Sequence, residues 1–317
     1  MISHDSVENA LRVLLALGGS TNAIVHLTAI AGRAGIDIPL TWLNDLSETT
    51  PVLVNLKPVG SHYMEDFFYA GGLGAVLREL KPLLNLDCLT VTGDTLGERL
   101  DQPAEAADRA VISSAKTPLE PKGGLVALFG SLAPRGAILK RSAADDTLFE
   151  KEGRAVVFSS LEDLAARIDD PDLDVTADDF LVLQNAGPTS PSGMPEAGYL
   201  PIPKKLSAQG VKDMVRISDA RMSGTAFGTI VLHVTPEAAQ AGPLALVQNG
   251  DRIRLSVENK TIDLMVDEQE LDRRRAGYKS SARDAATLRG YDKLYAEQVL
   301  QADEGCDFAF MKPVRDE

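Results

Sequence analysis

Residues 116–140 read KTPLEPKGGLVALFGSLAPRGAILK, and the character of the chain changes within this stretch. The Pro-, Gly- and Lys-rich segment Lys116–Gly124 predicts a domain boundary, placed after residue 117. It is followed by two short apolar runs with β-branched residues, Leu125–Phe129 and Ala137–Lys140, which Gly and Pro separate. Such runs are typical of strands, so a β-rich region is expected to begin here.

The chain beyond residue 140 continues this pattern. Further strands are predicted near Ala155–Phe158, Phe180–Gln184, Met214–Ile217, Ile230–Val234, Leu244–Gln248, Arg252–Val257 and Thr261–Val266. Helices are predicted at Leu161–Ile168, Tyr199–Ala208 and Asp267–Arg275 and in the tail Ser280–Gln301. Many short strands with few helices favour a barrel-like or sandwich domain with peripheral helices. The aspartate-rich segment Asp169–Asp179 is interpreted as a solvated loop.

The region before the boundary is predicted to be helical. Apolar spacing indicates helices at Ser6–Leu17, Ala23–Ala34, Trp42–Thr49 (capped by Thr41) and Glu65–Leu80 (interrupted by Gly71-Gly72). Two helical hairpins do not make a complete core, so this region is interpreted as one end of a larger helical domain. The predicted fold class is α+β, with residues 1–117 ending a helical domain and residues 118–317 forming a barrel-like one.

Composition and charge exclude several functions. The chain has 317 residues and a net charge of −14 without a basic block, which disfavours nucleic acid and anionic membrane surfaces. Two cysteines, Cys88 and Cys306, exclude a disulfide framework and any Cys-only zinc or iron–sulfur site made by this chain alone. There is no apolar run of membrane-spanning length and no signal-peptide pattern at the start, so the cytoplasm is the expected compartment.

Three stretches can carry chemistry, each with an alternative structural interpretation. Gly18–Asn22 could hold an anion at a helix N-terminus, or could simply end one helix and cap the next. Glu196 follows a strand in a Gly- and Pro-rich loop and could bind a hard divalent cation, or be an exposed glutamate at a helix start. Ser223 follows another strand and precedes a glycine, as exposed nucleophiles and bases do, or it lies in an ordinary turn with an Asp219–Arg221 ion pair.

The histidines give little support to a Ser-His-Asp triad. His26 and His233 lie on apolar elements and are interpreted as core residues, whereas His62 in a loop is the most plausible functional histidine. Cys88 is interpreted as a buried small hydrophobe, and Cys306 has no neighbouring Cys or His in the sequence.

Five ordered blocks together resemble one family, and the likeness runs along the whole chain. The blocks are Gly18-Gly19-Ser20-Thr21-Asn22, Met64-Glu65-Asp66 with Ala70-Gly71-Gly72, Gly123-Gly124-Leu125, Gly193-Met194-Pro195-Glu196, and Asp219-Ala220-Arg221-Met222-Ser223-Gly224. They closely resemble the dihydroxy-acid and phosphogluconate dehydratase family. Residues 197–203 and 221–225 look most like its sugar-acid branch, such as arabinonate or xylonate dehydratase.

The resemblance implies dehydration of a 2,3-dihydroxy acid to a 2-keto acid, with Mg²⁺ and a [2Fe–2S] cluster as cofactors. In the family, the N-terminal domain supplies three cysteine ligands and most Mg²⁺ ligands, and a swivelling β/β/α domain of barrel type closes the site. By the same resemblance, Glu196 is a Mg²⁺ ligand, Ser223 is the base, and Thr225 helps to hold the oxyanion.

The family's N-terminal cysteine motifs have no counterpart here. We therefore expect the carboxy-terminal part of a longer or split enzyme, which alone binds no cluster and is inactive. The expected partners are a small sugar acid and either a homo-oligomer (dimer or tetramer) or the missing N-terminal half. The alternative is a non-catalytic oligomerisation or binding module. A hydrolase that uses Ser223 is disfavoured, because no convincing histidine partner is apparent.

Overall fold

A computed structural model describes residues 1–223 and 227–313 of the protein. The fold is mixed α/β, with an eight-stranded sheet curved into a nearly closed barrel. In these two ranges the α-helices are α1 (His4–Ala16), α2 (Asn22–Arg33), α3 (Leu40–Thr49), α4 (Met64–Tyr69), α5 (Gly72–Leu80), α6 (Leu96–Leu100), α7 (Leu161–Arg167), α8 (Lys204–Ala208), α9 (Glu268–Gly277) and α10 (Gly290–Gln298). The first six precede every strand of the sheet.

The strands of the sheet follow one another in the order β1-β2-β6-β5-β4-β3-β7-β8. Their bounds are β1 (Val126–Leu128), β2 (Gly136–Leu139), β3 (Glu150–Phe158), β4 (Phe180–Leu183), β5 (Arg216–Ser218), β6 (Ile230–Thr235), β7 (Arg252–Ser256) and β8 (Thr261–Leu264). Strands β3, β4, β5 and β6 are mutually parallel, while the outer pairs are antiparallel. The two ends of the sheet meet where the Phe129 N–H donates to the Lys260 carbonyl at 2.9 Å.

The alternation of side chains along β1 shows how the barrel is covered. Val126 and Leu128 face the barrel core, whereas Leu125 and Ala127 pack against the first three helices. The buried Asn44 side chain of α3 pairs with the backbone of Ala127, donating to its carbonyl at 2.9 Å and accepting from its N–H at 2.8 Å. The helical region is thereby fixed to a sheet edge whose backbone groups would otherwise be unpaired.

Most predicted elements are confirmed within a few residues, but two are wrong. The run Leu244–Gln248 is not a strand; the segment Pro243–Leu246 is a 3₁₀ turn that begins with proline. Its Leu244 carbonyl accepts a hydrogen bond from the Gln184 side chain at 2.7 Å, in place of a strand partner. In the tail predicted to be helical, the α-helix is confined to Gly290–Gln298.

Two helices begin at a different residue from the predicted one, and a proline occupies the N-cap position of each. Helix α8 begins at Lys204 instead of Tyr199, because Pro203 is its N-cap and restricts the residues before it. Thr41 lies inside α3, and Pro39 occupies the N-cap position. The aspartate-rich segment is more than a solvated loop, since Asp179 is buried and accepts from the Arg154 guanidinium at 2.8 and 3.0 Å.

None of the helices in the described part of the chain is both long and apolar enough to cross a membrane.

Candidate active site

Two of the predicted site residues lie on loops that leave neighbouring strands at the same end of the sheet. Glu196 lies in the loop after β4, and Ser223 lies in the loop after β5. Strands β4 and β5 are parallel partners, so both loops start at adjacent carboxyl ends. In sheets of parallel strands this end is where ligands bind.

Four loops surround this site, and each is named here by its residues. They are the glycine loop (18–22), the lysine turn (140–143), the glutamate loop (194–198) and the serine loop (221–228, of which 224–226 lie outside the described residues). The loops contact one another in a closed circuit. Asn22 Nδ2 of the glycine loop donates to Glu196 Oε1 of the glutamate loop at 2.9 Å, and the Gly198 N–H donates to the Arg221 carbonyl of the serine loop at 2.8 Å. The Gly228 N–H of the serine loop donates to the Ala143 carbonyl of the lysine turn at 2.9 Å. Gly18 packs closely against Ser142, since a Cβ placed on Gly18 would lie 3.1 Å from Ser142 Oγ. The glycine loop therefore contacts the lysine turn, which completes the circuit.

The predicted metal ligand, Glu196, is held but accessible. Its side chain is 44% exposed and accepts a hydrogen bond from Asn22, while Arg221 Nη1 lies 3.8 Å from Oε1. Arg221 is oriented by its Nε, which donates to the Met194 carbonyl at 3.0 Å. The carboxylate therefore faces open space between the glycine loop and the serine loop, as a ligand of a cation from outside would require.

Ser223, the predicted base, is half-buried in the serine loop. Thr225, predicted to hold the oxyanion, lies outside the described residues. The loop is fixed at its end by Arg216, whose Nη2 lies 3.4 Å from the Phe227 carbonyl and whose Nη1 donates to the Tyr199 carbonyl at 3.0 Å. One buried guanidinium thus joins the serine loop to the segment that follows Glu196.

Two buried carboxylates fasten the bases of these loops. Asp219 accepts backbone N–H bonds from Ala186 at 3.0 Å and Ala238 at 2.9 Å, and burial raises the pKa of Asp219 to about 7. Glu237 accepts from the Thr189 N–H at 3.0 Å, and burial raises the pKa of Glu237 above its usual range. The alternative Asp219–Arg221 ion pair is wrong, because Asp219 is used to anchor backbone.

The histidines are placed differently from one another. His233 is a core residue as predicted, 3% exposed on β6, and burial lowers the pKa of His233 to about 3. His26 was predicted to be buried, but it is exposed on α2, one turn beyond Asn22. His62 stays on the segment before α4, where its Nδ1 lies 3.8 Å from Asp66 Oδ2, and it takes no part in the circuit of loops.

The buried imidazole of His233 predicts a pH-dependent stability. The folded state keeps it neutral down to about pH 3, whereas the unfolded chain protonates near its ordinary value of 6.5. Stability from this group is complete above pH 6.5 and is lost as pH falls. Asparagine suits the left-handed φ of 56° at this position, and we expect His233→Asn to be less stable than the parent at pH 7. By pH 5 this difference should shrink by about 2 kcal/mol, because only the parent loses the stability that depends on a neutral imidazole.

Urea unfolding of both proteins at several pH values measures this difference. The raised pKa of Asp219 makes its contribution to stability change with pH in the opposite direction. Because Asp219 is present in both proteins, this contribution does not affect the difference between them. His62→Asn is the matched control, since its side chain is 31% exposed and should give no such trend. A constant stability difference between parent and His233→Asn across this pH range would contradict the prediction.

The residues present fit a Mg²⁺ ion only in part. Mg²⁺ prefers six oxygens and commonly takes one or two protein carboxylates. Glu196 offers one, and the buried Asn22 Oδ1 beside it has no hydrogen-bond partner among the described residues. No set of three or more Asp, Glu, His or Cys side chains suited to a metal occurs in residues 1–223 and 227–313. Glu196 could therefore hold such an ion only together with ligands from elsewhere.

The two cysteines are too few to hold an iron–sulfur cluster by themselves. Cys88 accepts a weak hydrogen bond from Asn9 Nδ2 at 3.6 Å, and burial raises the pKa of its thiol. Cys306 Sγ donates to Met194 Sδ at 3.3 Å, and burial raises the pKa of Cys306 to about 12. Both sites favour the neutral thiol. Cys88 is half-exposed and not fully buried as predicted.

Sequence reasoning missed two members of the site. The sequence places Asn22 in a possible anion-binding or capping segment but does not predict that its side chain binds Glu196, 174 positions away. Lys140 was read as the end of a strand, although it is buried beside the glycine loop. For Lys140, the available sequence signal is a lysine at the end of an apolar run. No local sequence pattern marks Asn22 as a partner of Glu196.

Comparison with known proteins identifies the family of this chain. Family profiles described as "Dihydroxy-acid/6-phosphogluconate dehydratase" match as the N-terminal domain at residues 1–99 and the C-terminal domain at residues 110–306. L-arabonate dehydratase of Azospirillum brasilense is 48% identical over 99% of this chain and 55% of its own length. Dihydroxy-acid dehydratase of Ignicoccus hospitalis is 40% identical over 96% and 54%.

Both of these relatives are named as dehydratases, which are hydro-lyases. The chain belongs to the dihydroxy-acid/6-phosphogluconate dehydratase family, as the resemblance of its sequence blocks implied. The chain spans about half the length of the curated relatives that it matches.

Proposed function

We propose that this chain takes part in the dehydration of a 2,3-dihydroxy sugar acid to a 2-keto-3-deoxy acid. The observation that carries the proposal is the closed circuit of four loops, which brings Glu196 and the Ser223 loop together at the carboxyl ends of β4 and β5. A second observation is the Asn22–Glu196 hydrogen bond, which joins the helical region to the barrel at that point.

The reaction assigns separate roles to the chain's own residues. Mg²⁺, when bound through Glu196 and ligands from elsewhere, would supply positive charge beside the substrate's carboxylate and 2-hydroxyl group. Ser223 accepts the C2 proton as an alkoxide, since a neutral hydroxyl is a poor base. The C2 electron pair forms the C2=C3 bond as the C3–O bond breaks. The departing hydroxide takes the proton from the Ser223 hydroxyl group and leaves as water, which regenerates the alkoxide. The enol then tautomerises to the keto acid.

Departure of the 3-hydroxyl group is assigned to groups outside this chain. In the family a [2Fe–2S] cluster is implied, but Cys88 and Cys306 are too few to hold one by themselves. We therefore derive no step through a cluster on these residues. The proposal requires a companion polypeptide segment that brings the missing groups to the open side of Glu196.

A sugar acid is the proposed substrate class. L-arabinonate dehydratase of Rhizobium leguminosarum is 45% identical over 99% of this chain and 54% of its own length. 6-Deoxy-6-sulfo-D-gluconate dehydratase of Pseudomonas putida is 48% identical over 96% and 53%. The dihydroxy-acid dehydratases compared are 39–42% identical, so the higher identities fall in the sugar-acid branch.

Reconstitution with the complementary part of a relative tests the function. We expect the chain alone, after anaerobic iron–sulfide treatment, to stay colourless and to leave L-arabonate unchanged. With the part of the Azospirillum brasilense relative that it does not cover, the mixture should form a 2-keto acid, measured as its semicarbazone. Turnover by the chain alone would contradict the need for a companion. A brown, assembled mixture without turnover of any aldonate would contradict the proposed reaction.

Exposed aromatic side chains support a protein partner. Tyr63, Phe68 and Tyr69 on and before α4 are 63%, 73% and 77% exposed, which is unusual for a contiguous surface left in water. We infer that another polypeptide covers this surface: the companion segment, or a second copy in a dimer or tetramer. Light scattering of the chain with and without the companion distinguishes these. If the chain is a monomer and its mass does not change when the companion is added, neither a second copy nor the companion covers this surface. That result would also exclude the alternative function as an oligomerisation module.

A further inference from the structure

Lys140 is a buried lysine with no counter-ion among the described residues. It follows β2 directly and is only 6% exposed. Among the other buried charged side chains, three form ion pairs: Arg216 with Asp213, Asp179 with Arg154, and Asp307 with Arg33. The buried carboxylates Asp219 and Glu237 instead accept hydrogen bonds from backbone N–H groups. In the described part of the chain no carboxylate lies within ion-pair distance of Lys140 Nζ and no hydrogen bond from it is present. Burial lowers the pKa of Lys140.

Lys140 lines a cavity of about 330 Å³ together with the glycine loop. The polar part of the lining includes Ser20, Ser142 and the exposed Glu120, which forms no ion pair with Lys140, and the apolar part includes Leu17 and Val52. A cavity of this size is at the lower end of those that hold small organic ligands. An ammonium group at the wall of such a cavity costs free energy unless an anion neutralises it.

Ser142 provides a second, independent sign of a ligand. Its Oγ is buried and has no hydrogen-bond partner among the described residues. Gly18 and Gly124 lie against it, and a Cβ on Gly124 would come within 2.9 Å of this oxygen and 2.6 Å of the Gly18 Cα. Because Gly18 and Gly124 lack a Cβ, their backbone can approach Ser142 closely and enclose its hydroxyl group. This hydroxyl group is on the same turn as Lys140.

The cavity adjoins the loops of the candidate active site. The glycine loop that lines it ends at Asn22, which binds Glu196. On the other side, the lysine turn accepts the Gly228 N–H from the serine loop at the Ala143 carbonyl. The glycine loop and the lysine turn therefore belong both to the lining of this cavity and to the circuit of loops that holds Glu196.

We propose that Lys140 and Ser142 form a subsite for an oxyanion of a small organic acid. The ammonium group neutralises the anion and the Ser142 hydroxyl donates to it, while the glycine loop closes around it. The anion is either a carboxylate or a phosphate or sulfonate group on the end of a sugar acid. This subsite deepens the proposed function and rests on it only for the identity of the acid.

Anion binding by the chain itself tests the subsite without any enzymatic assay. We expect potassium gluconate or inorganic phosphate, at matched ionic strength, to raise the melting temperature above its value in chloride. A response to gluconate assigns a carboxylate, and a response to phosphate assigns a terminal phosphate or sulfonate. The absence of both responses overturns the subsite, whereas a failed dehydratase assay does not affect it.

Lys140→Met is the decisive variant. The dissociation constant for the responding anion should rise at least tenfold, while the ligand-free protein should melt at the same or a higher temperature, because a buried unpaired charge is removed. Lys57→Met is the matched control, since Lys57 lines the same cavity but its Nζ donates to Tyr63 Oη, and binding should change less than twofold.

Ser142→Ala gives an independent measurement if Lys140→Met folds poorly. It should weaken anion binding about threefold to tenfold, because one hydrogen bond to a charged group is lost. Unchanged binding in Ser142→Ala together with unchanged binding in any folded Lys140 variant would show a structural lysine and overturn the proposal.

Discussion

Replacing Arg216 with methionine is expected to lower the free energy of unfolding by about 3–5 kcal/mol. The guanidinium is 1% exposed, and its Nη2 donates to Asp213 Oδ1 at 2.6 Å. It also donates to the Met214 and Tyr199 carbonyls at 3.2 and 3.0 Å. Removing it leaves the Asp213 carboxylate buried without its cation and those carbonyls without their donor, and both effects are costly.

The measurement is urea unfolding, with hydrogen exchange to locate the loss. Exchange should accelerate in the residues near Tyr199 and Phe227, because Arg216 holds both segments. Adding Asp213→Asn to the Met variant should recover part of the loss by removing the unpaired charge. Arg273→Met is the control: its guanidinium is 71% exposed, so the pair with Glu270 should contribute less than about 1 kcal/mol. A cost for Arg216→Met no larger than this control would show the prediction to be wrong.

The barrel could be predicted because its strands carry a local pattern. In β4 and β6 every residue is buried, and their apolar, β-branched runs mark them without tertiary information. The order of strands in the sheet could not be predicted, since β2 pairs with β6 across roughly 90 residues of chain and no local signal encodes that partner. The run Leu244–Gln248 failed for a related reason: Gln184 supplies the hydrogen bonds that a neighbouring strand would have supplied.

The candidate site was only partly accessible from the sequence. Glu196 and Ser223 could be chosen because each follows a predicted strand in a glycine-containing loop, and the family resemblance gave them roles. The contact of Glu196 with Asn22 joins residues 174 positions apart, so it depends on tertiary packing. Lys140 became a site residue only once its burial and its lack of a carboxylate partner in the described residues were visible. Burial of a polar group is a tertiary property, and a sequence pattern records it poorly.

Ser223→Ala should reduce the turnover number of the reconstituted enzyme about 10³-fold, with little change in KM. The serine loop leaves the carboxyl end of β5, is fixed at Gly228 to Ala143, and contacts the glutamate loop through Arg221. A proton acceptor there acts only in the transition state, so its loss lowers turnover while substrate binding persists. The measurement is steady-state formation of the 2-keto acid from L-arabonate, with the chain and its companion segment in a defined ratio.

Solvent exchange at C2 separates proton removal from a general loss of the site. A Ser223→Ala enzyme that still binds the sugar acid should no longer exchange the C2 hydrogen with deuterated water, whereas loss of hydroxide departure alone would leave that exchange intact. Ser207→Ala, an exposed serine near the end of α8, is the matched control and should keep full turnover and exchange. If Ser223→Ala retains more than about a tenth of the exchange rate, the base lies elsewhere, because a positioned base contributes at least about 10²-fold.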